Sequence, residues 1–158
     1  MNKKKKLILT IIFAVYCMGV MYLTLLKSIG STSAMNYAEY LRANSNLIPF
    51  FSFYVFITTP FKSSIVIKQF VINLVGNLLL FLPWGLLLPI IINKCRGFKR
   101  FFIFTSLVIV VIELLQLFLM LGSCDIEDYL MNMIGALVGF VANIKLSDTG
   151  QSSAKSTP

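Results

Sequence analysis

Seven polar side chains stand in or beside otherwise apolar stretches, and their chemistry is what the sequence must account for: Asn73, Asn77, Glu113, Gln116, Asp125, Asp128 and Asn132. Glu113 and Gln116 are three residues apart and share one helix face. Asn73, Gly76 and Asn77 share another, and Asp128, Asn132, Gly135 and Gly139 form a single stripe on a third helix. Such groups can bind a polar ligand. Two carboxyls in a low-dielectric setting, Glu113 and Asp128, could also divide acid and base roles. The competing explanation is packing, because membrane bundles use Asn, Gln and Glu to bridge helices for about 0.6–2 kcal/mol each. Amides fit that role readily. A carboxyl is costlier, about 2.5–3.5 kcal/mol near a helix centre on insertion scales, so Glu113 points to function more than to packing. Gly135 and Gly139 match the small-xxx-small pattern of close helix approach. Pro83-Trp84 reads as a kink with an aromatic contact, and Lys62 and Lys68 as solvated or lipid-facing.

The elements that position these residues follow from composition. Only 13% of the 158 residues are charged and 58% are hydrophobic, whereas a soluble domain carries about 25% charged residues. Lipid is therefore the solvent for most side chains. The fold class expected is all-α integral membrane, with transmembrane helices at about 7–26, 69–92, 101–121 and 128–146. A first run of that length spans about 30 Å, the thickness of the hydrocarbon core. A signal peptide is the competing reading of the N-terminus, with Thr32-Ser33-Ala34 near a possible cleavage point, but a cleaved apolar core usually has only about 7–15 residues. Within the long connection 27–68, the apolar and aromatic stretch 47–57 is too short to span and is bracketed by Pro49 and Pro60. It reads as an interfacial or re-entrant segment. Residues 1–146 form one membrane domain, and residues 147–158, rich in Ser, Thr, Gly and Lys, read as a disordered tail.

The net charge of +8 does not indicate nucleic acid, because Lys and Arg cluster at the ends of apolar runs rather than along one face. Membrane lipid is the partner such clusters meet. The chain contains no histidine, and Cys17, Cys95 and Cys124 lack metal-ligand spacing, so neither a metal nor another cofactor is expected. All three cysteines read as unpaired small apolar side chains.

Orientation follows from the positive-inside rule. With the N-terminus in the cytoplasm, the inside receives Lys3 to Lys6, the basic cluster 94–100 and Lys145; the outside receives the long loop and the acidic connection 122–127. Helix rise then places Glu113 and Asn77 about 12 Å, and Asn73 and Asn132 about 6 Å, below the outer surface. A polar cluster open to the outside, with Asp125, Glu127 and Asp128 at its rim, satisfies them together.

These residues also carry a resemblance. Asn73-Leu74-Val75-Gly76-Asn77, continuing to Phe81-Leu82-Pro83-Trp84-Gly85, resembles the N-x-x-G-N-x-x-x-F-x-P-x-G signature of VanZ-like proteins. Asn46-Leu47-Ile48-Pro49-Phe50 resembles that family's N-x-I-P-F element, and Glu113-Leu114-Leu115-Gln116 its E-x-x-Q. The stretch from Asp125 through Asn132 to Gly135 is similar to its D-[IV]-x-D-x-x-x-N-x-x-G. The motifs occur in the family's order over about residues 1–146. One departure is the absence of Arg before the first Asp, where this chain has Gly122-Ser123-Cys124; that weakens the inference of a carboxylate or phosphate ligand paired there.

The resemblance implies a multi-pass plasma-membrane protein of a Gram-positive bacterium, associated with resistance to the glycopeptide teicoplanin, and brings no catalytic mechanism with it. The expected activity is binding: the polar cluster engages a lipid-linked cell-wall precursor, a lipid headgroup or the acylated lipoglycopeptide itself. One rival is a membrane enzyme using Glu113 and Asp128 as acid and base on a lipid-linked substrate, for which the sequence offers no nucleophile motif. The other is a small exporter exchanging protons for cations through the membrane carboxyl.

Overall fold

The computed structural model describes residues 2–26, 36–58, 60 and 64–155, apart from the side chains of residue 69 and of 147–155. The candidate cleavage stretch Thr32 to Ala34, and Lys27 and Lys62, lie outside the described residues. The described chain forms helices α1 (Lys3–Met21), α2 (Tyr37–Ala43), α3 (Phe51–Thr58), α4 (Ser64–Ile91), α5 (Phe98–Phe118) and α6 (Ile126–Lys155). Among the described residues, four helical stretches are long and apolar enough to cross a membrane: Lys3–Leu25, Ser64–Ile91, Phe98–Phe118 and Ile126–Leu146. The expected spans therefore stand, each shifted by a few residues. The backbone of α6 continues as helix to Lys155. No proline interrupts that stretch.

These helices turn large apolar side chains outward. Leu7, Ile8, Ile11, Val15 and Met18 of α1 are exposed, as are Ile103, Leu107 and Val111 of α5. In water such a surface would be an aggregation hazard; in lipid it is the expected exterior. The interior is narrow and aromatic. Phe101 stacks on Phe140 with ring centres 4.3 Å apart. Trp84 packs against Phe13, Phe81 and Phe104, and its indole N–H donates to Thr105 Oγ1 at 3.1 Å. The expected aromatic contact at Pro83-Trp84 is thus present, while α4 runs on as one helix through both Pro83 and Pro89.

The closest packing is between α4 and α6. A Cβ at Gly85 would overlap the Ala136 carbonyl, one at Gly135 the Leu78 carbonyl, and one at Gly139 the Leu82 carbonyl. Three glycines therefore let two backbones touch, as the small-residue pattern implied for α6. The seam continues to Asn143, whose amide donates to the Leu86 carbonyl at 2.9 Å. Helix α1 docks on the same helix through the Tyr16 hydroxyl, which donates to the Leu80 carbonyl.

These contacts set the two ends of the bundle. At one end lie Lys3 to Lys6, the short 3-10 turn Asn93–Arg96 and the part of α6 near Phe140, against which Phe98 packs. This is the basic end. At the other lie the end of α1, helices α2 and α3, and the connection from α5 to α6. A two-residue parallel pairing, Ser45–Asn46 (β1) against Cys124–Asp125 (β2), ties the long loop to that connection. The Tyr40 hydroxyl reinforces the tie by donating to the Gly122 carbonyl.

Candidate functional site

The site begins with how α6 starts. Asp125 Oδ1 accepts the Glu127 N–H at 2.9 Å, satisfying one of the donors a helix leaves unpaired in its first turn. Asn46 Nδ2 donates to both Asp125 oxygens at 3.3–3.4 Å, so the Asn46-to-Pro49 element fixes the carboxylate that begins the helix. Glu127 and Asp128 then fall in the first turn, where the helix dipole favours negative charge.

Each of these two carboxylates reaches a different element. Glu127 is 6% exposed, and its Oε1 accepts the Ser52 N–H at 2.7 Å. That bond satisfies a first-turn N–H of α3 and fastens the apolar helix to the bundle. Phe53 and Phe56 complete the attachment by packing on Phe70 of α4, with ring centres 5.1 and 4.2 Å away. The outer face of α3 stays bare, with Tyr54 and Ile57 exposed, as an interfacial segment requires. Asp128 instead meets α4: its Oδ1 accepts from Asn73 Nδ2 at 2.9 Å and Asn77 Nδ2 at 2.6 Å. The two amides, one helical turn apart, grip the same oxygen.

Glu113 is buried, and its Oε2 accepts the Asp125 N–H at 3.4 Å. Gln116 donates to the Thr24 carbonyl at 2.9 Å, in the π-helical turn Tyr22–Leu26 that ends the first span. Asn132 is 3% exposed, and its Oδ1 has no hydrogen-bond partner among the described residues. Outside the spans, Cys124 feels the site: burial first, and then the carboxylates of Glu113, Asp125 and Asp128, push its thiol pKa up.

A cavity of about 750 Å³ opens beside these groups. Asn73, Asn77, Gln116 and Asp128 line it, whereas Glu113, Asp125 and Asn132 do not. The seven sequence-derived candidates therefore divide into four wall residues and three that sit outside the wall. Glu127, expected at the rim, lines the cavity as well, with Ser52, Ser123 and Thr24. The apolar part of the lining includes Leu23, Phe53, Phe70, Leu80 and Met131. Thr24, Ser52 and the apolar lining were missed by sequence reasoning. The aromatic density of residues 50–56 was a signal for Phe53, but nothing in the sequence pairs Ser52 with Glu127 across 75 positions. The lining is thus amphipathic, combining amides and carboxylates with aromatic and aliphatic groups. It suits a polar headgroup attached to an apolar chain.

A sequence model of the family described as VanZ/LLP1 matches residues 13–146 of the chain. No curated protein and no solved structure gives a match.

Proposed function

Because the chain belongs to the VanZ/LLP1 family, we propose that it is a plasma-membrane protein that lowers susceptibility to acylated glycopeptides of the teicoplanin type. It does so by binding, at the outer leaflet, either the drug's lipid anchor or a lipid-linked component of the envelope. The acidic end of the bundle faces outward and both termini face the cytoplasm, in keeping with the basic clusters at the opposite end.

The observation that supports this reading best is the cavity of about 750 Å³, lined by Asp128, Asn73 and Asn77 and also by Phe53 and Phe70. Its mixed lining matches an amphiphile, and α3 beside it bears the exposed aromatic face of an interfacial helix. Binding is favoured over acid–base turnover because the Asp128 oxygen is already held by two amides, which orient a carboxylate for recognition.

The test is deletion and re-expression in the native host, measuring susceptibility to teicoplanin beside vancomycin, which lacks the acyl chain. A larger shift for teicoplanin is expected, because a membrane-anchored drug is what an outer-leaflet cavity can meet. Equal shifts for both drugs would point to a general change in wall precursor and contradict the leaflet argument.

A further inference from the structure

The ionisable side chains that line the cavity are all acidic. Asp128 and Glu127 both line it, and Asp125 and Glu113 stand behind them, close enough for all but Glu127 to act on the Cys124 thiol. Among the described residues their hydrogen-bond partners are neutral: the amides of Asn46, Asn73 and Asn77 and the backbone N–H groups of Ser52, Asp125 and Glu127. The basic side chains described at this end, Arg42 and Lys68, are exposed, and neither lines the cavity. Acidic groups gathered at a low-dielectric wall repel an incoming anion, and a cation seated among them relieves their mutual repulsion. The lining also includes the apolar side chains of Leu23, Phe53, Phe70 and Met131. Aromatic faces there add to the attraction for a cation through their negative quadrupole.

We propose that the cavity takes an amphiphile with an amine-type cationic headgroup, seated between the Asp128 and Glu127 carboxylates with its chain along the Phe53 and Phe70 wall. This rests on the binding function above and narrows it: a headgroup presenting only phosphate is the wrong charge for this wall. An aminolipid and an amine-bearing acylated drug share the required chemistry.

The experiment is photolabelling of the purified full chain in maltoside micelles with a diazirine-bearing dodecylamine, the labelled peptides being mapped by mass spectrometry. Label is expected on peptides containing Phe53, Phe70 or Met131. Excess dodecylamine should remove it, while dodecyl phosphate and dodecanol should not. At probe concentrations below saturation, Asp128→Asn should reduce labelling about tenfold, as loss of one close charge pair does at other interfaces. Glu127 also anchors α3, so Asp128→Asn is the decisive variant, with size-exclusion profile and Trp84 fluorescence checking its fold. Should that variant misfold, the competition series on the unaltered protein still decides. Competition by phosphatidylethanolamine but not by phosphatidylglycerol would support the proposal and assign a lipid source; competition by neither, with dodecylamine still effective, would support an amine arriving from outside the bilayer. Dodecyl phosphate competing as well as the amine, or unchanged labelling of folded Asp128→Asn, would overturn the cationic headgroup while leaving the binding function intact. Labelling that none of the three amphiphiles displaces would remove the cavity as a binding site and overturn both.

Discussion

Helices α4 and α6 meet in two different ways along their length. From Leu78 to Leu86 the contact is made of backbone, because Gly85, Gly135 and Gly139 present no side chain where the helices touch. Nearer the acidic end the same pair meets through side chains: Asn73 and Asn77 reach from α4 to the Asp128 oxygen, and the cavity lies alongside. In lipid there is little hydrophobic drive between helices, so close approach must come from dispersion and from weak Cα–H···O contacts at small residues. One half of the seam supplies that attraction. The other half holds polar groups beside the cavity. A bundle assembled mainly by its glycine seam can tolerate polar groups that do not optimise packing.

The comparison is most easily broken at the seam. Gly139→Leu places a branched side chain against the Leu82 carbonyl and the Leu86 backbone. Its cost should reach the upper end of the overpacking range, about 3 kcal/mol or more, and steady-state abundance should collapse on immunoblots of membranes. A variant accumulating at the normal level would mean that the seam does not hold the helices together.

A smaller structural effect, with a selective functional one, is expected at Glu113. Glu113→Gln retains an oxygen able to accept the Asp125 N–H and removes a buried carboxyl from a membrane-spanning helix. The protein should accumulate normally and its effect on drug susceptibility should fall. Full effect in this variant would leave Glu113 as a packing residue. The smallest expected change sharpens the same point through Cys124. Because burial and then Glu113 raise its thiol pKa, maleimide labelling of Cys124 should be slow at neutral pH and accelerate only above the ordinary thiol range. In Glu113→Gln the profile should shift modestly toward lower pH, burial remaining the larger cause. An unchanged profile would show that the Glu113 charge does not reach the connection.

How much of this was legible in the sequence depended on the range of the interaction. Span length and hydropathy are local properties, so all four spans were readable, as was the Gly135–Gly139 face of α6. The partner glycine, Gly85, lies outside any spacing rule because it belongs to another helix. Asn73, Asn77 and Asp128 were grouped by estimated depth, and the structure joins them at one oxygen. Depth alone could not divide them from Glu113 and Asn132, which sit at similar levels but outside the cavity wall. The Asn46–Asp125 contact, the two-residue pairing beside it and the Ser52–Glu127 bond all close long loops. No periodicity encodes such closures, and backbone donors carry no residue identity to recognise.

The most direct measurement compares Asp128→Asn with the unaltered protein at matched abundance in a deletion strain, with teicoplanin susceptibility as the readout. The substitution keeps the shape of the Asp128 side chain and leaves an oxygen that can still accept from Asn73 or Asn77. The two halves of the seam therefore stay assembled while the cavity wall loses a charge. A return of susceptibility to that of the deletion strain is the expected result. Retention of the full effect, with normal abundance, would contradict the claim that the acidic cavity is where this protein acts.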